Sequence, residues 1–560
     1  MSADAATASS KKALFGKVAW GALIVATLYV CYFSHLGAIG FVGPDEPRYA
    51  WIARAMVETG DWVTPRLYGL PWFEKPPLYY WGAALSFKLF GVSEAAARLP
   101  SALSALLATL AMAWLAWRVY GVETARWLLL LLPTTVGMIG FSHAAATDMP
   151  FSGMLTIAMV CAAVVLGLTR DENSPILPRT PWAALILFGF FLGLAVLAKG
   201  PAAIILSGGA AFFCALFTKR WKDAVRLLHP VAIASFCATA LPWYILCARR
   251  NPDFFRVFII EHNFDRFLTS EFHHIQPFWY YAPIFLIAIV PWIVLVPAFL
   301  CDVSERKLSD LVRTHAAALY LGCWGAFTLL FFSVSQSKLP GYILPGLPPL
   351  LLLIVRSAAR RLASPTLKIR WIGVLSGLTL LSGAIAIVLL SNRLPLAIDY
   401  FPPQPLISIA LLLLLTGGAA IVLGMRRQSQ LALVVVVAAT VASFAWSLTG
   451  DTRWALDHGV SVGLTGVTSA QVQAEFAGAP VCVYKLNRAF HYSLNFYFHR
   501  LLDECGRSAS GSVHVFTSPA RLGEMRELGL RCPNYIAFPD VIACNGEFLP
   551  PALGDRRQLQ

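Results

Sequence analysis

Apolar residues along this chain come in blocks of about 20, the length needed to cross the hydrocarbon core of a bilayer, and short polar turns separate the blocks. Runs such as Leu128 to Leu132 and Leu411 to Leu415 are apolar on every face, which excludes the alternating strands of a transmembrane β-barrel. The pattern predicts an all-α polytopic membrane domain of about thirteen transmembrane helices. They are expected near 16–38, 99–117, 127–142, 149–168, 181–198, 200–218, 229–247, 279–300, 315–335, 341–355, 372–391, 406–424 and 430–449. Segment 78–91 is apolar but short and interrupted by Lys88, so it is expected to be interfacial or re-entrant. The first block is too long for the apolar core of a signal peptide and lacks a small-x-small cleavage site, so it is expected to remain as a helix. After residue 450 the pattern changes. Strand-like runs (Val481 to Tyr484, Ser512 to Thr517, Tyr535 to Phe538) alternate with helical ones (Leu486 to Phe498, Pro519 to Leu528), as in a small α/β domain. The expected organisation is a membrane domain over 1–450, with long outer loops at 40–98 and 248–278, and a C-terminal domain over 451–560.

Composition agrees: 58% of the 560 residues are hydrophobic and 13% charged, against roughly 25% charged in soluble proteins, which excludes a soluble globular enzyme. The net charge of +14 is not a nucleic-acid signal, because no basic low-complexity arm exists and most Lys and Arg sit at the ends of apolar blocks. There they set topology and meet anionic lipid. The basic turns place the N-terminus, with Lys11, Lys12 and Lys17, in the cytoplasm, and an odd number of spans then places the C-terminus outside. Of eleven cysteines, Cys482, Cys505, Cys532 and Cys544 lie in the polar tail. Four in a short polar domain point to two disulfides in an oxidising compartment, with three pairings open; four reduced core cysteines are the alternative.

Candidate chemistry collects in the outer loops. GPDEPRYA (Gly43 to Ala50) reads either as a capped interfacial helix, with Asp45 or Glu46 as N-cap, or as a site. In the second reading Asp45, Arg48 and Tyr49 at i, i+3 and i+4 gather an acid, a cation and a phenol beside a helix start suited to phosphate. WFEKPPLYYW (Trp72 to Trp81) presents Glu74 and Lys75 from a loop stiffened by Pro76 and Pro77, with Lys75 suited to a lipid phosphate and an aromatic belt as the simpler account. Asp148, before Pro150 at a span boundary, is an N-cap, a site residue or both. The second long loop offers His262, Arg266, His273 and His274 ahead of PFWYY; with Glu74 these histidines are candidate ligands of a zinc-like divalent metal, and loop histidines that meet lipid phosphate or water are the preferred account. SQSKLPGYILPGLPPL (Ser335 to Leu350) places Lys338 at a span end and Tyr342 one turn into the next, on a backbone bent by prolines that protein or a water-filled cavity must cover. Snorkelling is an alternative for Lys338 and the preferred account of Lys199.

Taken together, GPDEPRYA, WFEKPP, EH…RF…PFWYY and SKLPGYILP resemble the class C lipid-dependent glycosyltransferases, and within them the bacterial aminoarabinose transferases of lipid A, which are related to protein O-mannosyltransferases. The resemblance covers the whole architecture. It implies a 4-amino-4-deoxy-L-arabinose donor carried on undecaprenyl phosphate, a lipid A phosphate as acceptor, and resistance to polymyxin and other cationic peptides. It also implies a monomer in the bacterial inner membrane, working at the periplasmic face with no nucleic acid partner. By motif, Asp45 and Asp148 are the implied essential acids, Arg48, Lys75, Arg266 and Lys338 the implied phosphate ligands, and Tyr49, Glu74 and Tyr342 the implied cavity lining. The family pattern has one His before PFWYY, so the pair at 273–274 departs from it. An acceptor phosphate is already anionic near neutrality and needs no general base, which casts Asp45 as an orienting group or as the partner of the sugar's ammonium. Two other readings remain: a protein O-mannosyltransferase, in which Asp45 would act as the base on a hydroxyl, and a lipid transporter, which would place ionisable residues at mid-bilayer.

Overall fold

The computed structural model describes residues 2–169, 181–265, 276–305, 316–363, 370–391, 403–450, 453, 480–505, 511–527, 530–537 and 542–548. Among these residues nine helices are long and apolar enough to cross a membrane, and up to eleven spans result if each of two bent helix pairs is one span. Two further apolar helices, Val18–Phe33 and Ala202–Thr218, fall just short of that length, and the expected thirteen is reached only by counting both. Segment 78–91 forms the short helix Leu78–Phe90, as its length implied.

Two expected spans are broken. The block read as 127–142 is two helices, Val122–Leu131 and Val136–Ser142, bent by 61°, and the block read as 279–300 is Phe278–Ala288 and Trp292–Ser304, bent by 102°. The breaks face each other and satisfy one another's polar groups. Val136 N donates to Val290 O at 3.0 Å, Trp292 Nε1 donates to Thr134 Oγ1 at 3.0 Å, and Thr134 Oγ1 returns a bond to Leu130 O at 2.8 Å. Interrupted backbone is stable at membrane depth only when such partners replace water. Elsewhere the helices pack through small residues: a Cβ on Gly189 would lie 2.1 Å from Ala232 O of the neighbouring helix, so those backbones touch directly.

Two of the buried clusters bear on the site. The larger lies between the membrane helices. The second lies under the first long loop, where Phe41, Tyr49, Ile52, Met56, Tyr79 and Tyr80 pack with Phe496 from the C-terminal region. That region holds a four-stranded sheet. Its strands β3 (Val481–Tyr484), β4 (Gly511–Thr517), β5 (Leu530–Ala537) and β6 (Ile542–Phe548) follow the two-residue strands β1 (Arg66–Leu67) and β2 (Leu70–Pro71) of the first loop, and they lie in the order β3-β4-β6-β5. β3 and β4 are parallel and the other pairs antiparallel, with Tyr535 opposite Cys544. The strand β6 is additional to those read from the sequence. Cys482 and Cys505 form a disulfide, which selects between the open pairings; the side chains of Cys532 and Cys544 lie outside the described residues.

Candidate active site

The first long loop is organised by one buried ion pair. The helix Asp45–Thr59 is entered at Pro44 with no side-chain cap, so neither Asp45 nor Glu46 plays the expected N-cap role, and both carboxylates are used elsewhere. Glu46 turns inward to Arg98, whose Nη2 lies 2.7 Å from Oε2. The Arg98 guanidinium also donates to the carbonyls of Leu36, Ile39 and Gly40 at 2.8–2.9 Å. Glu46 in turn accepts Val42 N at 2.7 Å and Ala145 N at 2.6 Å. Every polar atom of this pair is thereby matched, as a buried pair requires. One carboxylate thus ties the loop before Asp45 to the segment that leads into Asp148.

Asp45, half-exposed, pairs with Arg48. Arg48 is buried and also meets Glu74 at 3.0 Å, while its guanidinium carbon lies 5.3 Å from the Tyr49 ring centroid and 5.4 Å from that of Trp72. Glu74 Oε1 lies 3.4 Å from Lys75 Nζ, so an acid sits between two cations. Burial alone would lower the Arg48 pKa, but Glu74, then Tyr49 and Asp45, hold it above its ordinary value. Burial, followed by the charges of Glu74 and Asp45, raises Tyr49 well above 10, so this phenol stays protonated. The cluster joins five residues singled out by motif: Asp45, Arg48, Tyr49, Glu74 and Lys75.

Asp148 opens the helix Asp148–Val165; Thr147 precedes it without a side-chain cap, so the N-cap alternative fails here too. Its carboxylate meets Lys199 Nζ at 2.6 Å, and the same ammonium stands 4.4 Å from the Tyr342 ring centroid. The 3₁₀ segment Pro340–Gly346 approaches so closely that a Cβ on Gly341 would lie 2.5 Å from Asp148 Oδ1. Lys199 is therefore one of two residues that sequence reasoning missed. It was assigned to snorkelling, yet only 13% of its side chain is exposed. Arg98 was missed as well, although an ionisable residue at the edge of an apolar block is a signal in itself.

The remaining candidates divide. Lys338 is buried and donates to Ser335 O at 2.5 Å, with burial pushing its pKa below the ordinary lysine value. Tyr281 of the PFWYY motif donates to Leu339 O at 3.2 Å, linking that motif to SKLPGY. His262 and Glu74 line one cavity of about 510 Å³ with Trp72, Arg250, Asp253 and Arg256. Arg266, His273 and His274 lie outside the described residues. Among the described residues no three His, Cys, Asp or Glu side chains gather as for a metal ion. Both oxygens of Glu74 already face cations, which makes Glu74 and His262 a poor pair of metal ligands.

These features define a multi-pass membrane protein with paired acids and cations at one end of its helix bundle. The sequence pattern of the dolichyl-phosphate-mannose-protein mannosyltransferase family matches residues 18–258. The undecaprenyl phosphate-alpha-4-amino-4-deoxy-L-arabinose arabinosyl transferase of Serratia proteamaculans is 31% identical over 410 residues, 72% of this chain and 70% of that protein. The enzyme of the same name from Aeromonas salmonicida is 34% identical over 316 residues, and this chain spans 55% of its length. In fold, the crystal structure of ArnT from Cupriavidus metallidurans bound to undecaprenyl phosphate aligns with a TM-score of 0.75 at 23% identity, covering 94% of this chain and 98% of that one. The chain belongs to the family of undecaprenyl phosphate-aminoarabinose arabinosyl transferases.

Proposed function

We propose that this protein transfers 4-amino-4-deoxy-L-arabinose from undecaprenyl phosphate to a phosphate of lipid A, at the periplasmic face of the bacterial inner membrane. The observation that carries the reading is the cluster of Asp45, Arg48, Glu74 and Lys75, beside which Glu46 holds Ala145 N, three residues before the Asp148–Lys199 pair. Family membership supplies the substrate class.

The chemistry follows from charge. An acceptor phosphate oxygen attacks the anomeric carbon, the bond from that carbon to the donor phosphate oxygen breaks, and undecaprenyl phosphate leaves. The acceptor's second pKa is about 6, so no proton need be removed from it. Arg48, Lys75 and Lys338 provide cations for the two phosphates, and buried cations stabilise the departing charge more than they would in water. Asp45, half-exposed beside Arg48, is placed to orient the sugar through its ammonium. A long isoprenoid tail has a matching surface in an apolar cavity of about 620 Å³ lined by Phe213, Phe217, Phe327 and Phe331. Phe331 meets Phe332 edge-on at 5.0 Å, and Phe332 lies 4.8 Å from Tyr342, so this cavity leads to the outer pairs.

Mass spectrometry of lipid A tests the reading in a polymyxin-sensitive host that supplies the donor but lacks its own transferase. Added aminoarabinose is expected with this chain and absent with Asp45→Ala or Asp148→Ala at equal protein levels. Unmodified lipid A despite good expression would sink it. The mannosyltransferase family match over residues 18–258 gives the second reading, transfer of mannose to a protein hydroxyl, and the same strain would then carry mannosylated periplasmic protein.

A further inference from the structure

Three buried hydrogen-bond donors around Arg48 have no acceptor among the described residues: Arg48 Nε, the indole Nε1 of Trp72 and the hydroxyl of Tyr80. Tyr80 is fully buried. Its ring lies edge-on to Tyr49 at 5.8 Å, and both Tyr49 and Trp72 flank the Arg48 guanidinium. The contrast with its chain neighbours is sharp. Tyr79 donates to Ala97 O at 2.9 Å and Trp81 Nε1 to Trp62 O at 2.8 Å, so the same helix satisfies the donors on either side of Tyr80. An indole N–H and a guanidinium Nε–H can only donate. Burial, then the charges of Glu74 and Asp45, keeps the Tyr80 phenol protonated against the opposing charge of Arg48, so it donates as well. Buried donors without acceptors destabilise a fold, and several in one place are retained when a ligand supplies the acceptors.

We propose that Tyr80 and Trp72 are binding residues, which with Arg48 Nε donate hydrogen bonds to oxygen atoms of the glycosyl phosphate. The inference rests on the function proposed above and adds uncharged donors to its cations. The oxygens belong either to the phosphate or to the sugar, and the two sources separate experimentally.

The test uses the full chain in lipid nanodiscs, with Tyr80→Phe and Trp72→Phe as variants. Three quantities are measured: melting temperature, affinity for undecaprenyl phosphate without sugar, and transfer of aminoarabinose to lipid A. Because the Tyr80 hydroxyl has no partner among the described residues, Tyr80→Phe is expected to melt no lower than the parent. It should lose about tenfold or more in transfer, or in undecaprenyl phosphate affinity. A matching loss of undecaprenyl phosphate affinity assigns the phosphate oxygens; a loss confined to transfer assigns the sugar. Full transfer with unchanged lipid affinity in both variants would overturn the inference, as would activity that falls only in step with melting temperature. A parent that binds undecaprenyl phosphate but transfers no aminoarabinose refutes the functional reading, and the affinity comparison then decides the inference alone.

Discussion

At Asp148 the partner decides what the carboxylate can do. Held 2.6 Å from Lys199, it fixes that side chain against the Tyr342 ring. Lys199→Met should therefore cost about as much transfer as Asp148→Asn, on the order of 10²-fold, as when one electrostatic partner is removed from a preorganised site. Lipid A mass spectra with graded expression would show this; a fully active Lys199→Met would return that lysine to the snorkelling role. The Glu46–Arg98 pair makes a different prediction, because both side chains are nearly inaccessible and each is fully hydrogen-bonded. Glu46→Ala leaves Arg98 charged and buried, at an expected cost of about 3–5 kcal/mol, readable as a lower melting temperature in detergent. For Lys338 the sign of the pH effect is set by burial, which lowers its pKa. Its ammonium is lost at a lower pH than that of an exposed lysine, so phosphate binding should weaken as pH rises through that value, and Lys338→Met should flatten the alkaline limb of the affinity profile.

Among the elements, the 3₁₀ segment Pro340–Gly346 does most to shape the site, and its glycine is the test. A methyl group at Gly341 would stand 2.5 Å from Asp148 Oδ1 and 2.8 Å from Phe141 Cε1. Neither atom belongs to a backbone, so the carboxylate can rotate aside and the fold survive. Gly341→Ala is expected to lose transfer much as Asp148→Asn does while keeping its melting temperature within a few degrees; equal losses of both would mean that the segment serves packing alone. This element was legible in the sequence because Pro340, Pro345 and Pro348 announce a backbone that cannot continue as a regular helix. The break at Thr134 was not. Pro133 is a single proline between two apolar stretches, and the bend depends on Val290 and Trp292 more than 150 residues away, with Trp292 at a sequence separation of 158. Periodicity reads local pattern and is silent about a partner that remote.

For the whole molecule, apolar blocks and four tail cysteines revealed a membrane bundle and an α/β region, but not what the second does for the first. Docking is a matter of surface shape between distant segments, and hydropathy carries none of it. In the structure the helix Arg488–Phe498 lies against the helix that carries Asp45 and Arg48. Tyr497 accepts Phe41 N at 3.1 Å, Phe496 meets Phe41 edge-on at 4.9 Å, and Glu58 meets His499 at 3.0 Å. Buried Asn495 joins both sides, donating to Tyr68 at 3.0 Å and accepting Leu502 N at 2.9 Å. The Cys482–Cys505 disulfide closes the loop that contains this helix, across a sequence separation of 23. A loop of that size contributes about 3 kcal/mol, so replacing both cysteines with serine should loosen the docked helix before it disturbs any membrane span. Hydrogen exchange is then expected to rise over Arg488–Phe498 and over Asp45–Thr59 together, with transfer falling several-fold. If exchange rises over 482–505 alone and transfer is untouched, the C-terminal region does not brace the site and its contacts with the Asp45 helix are incidental.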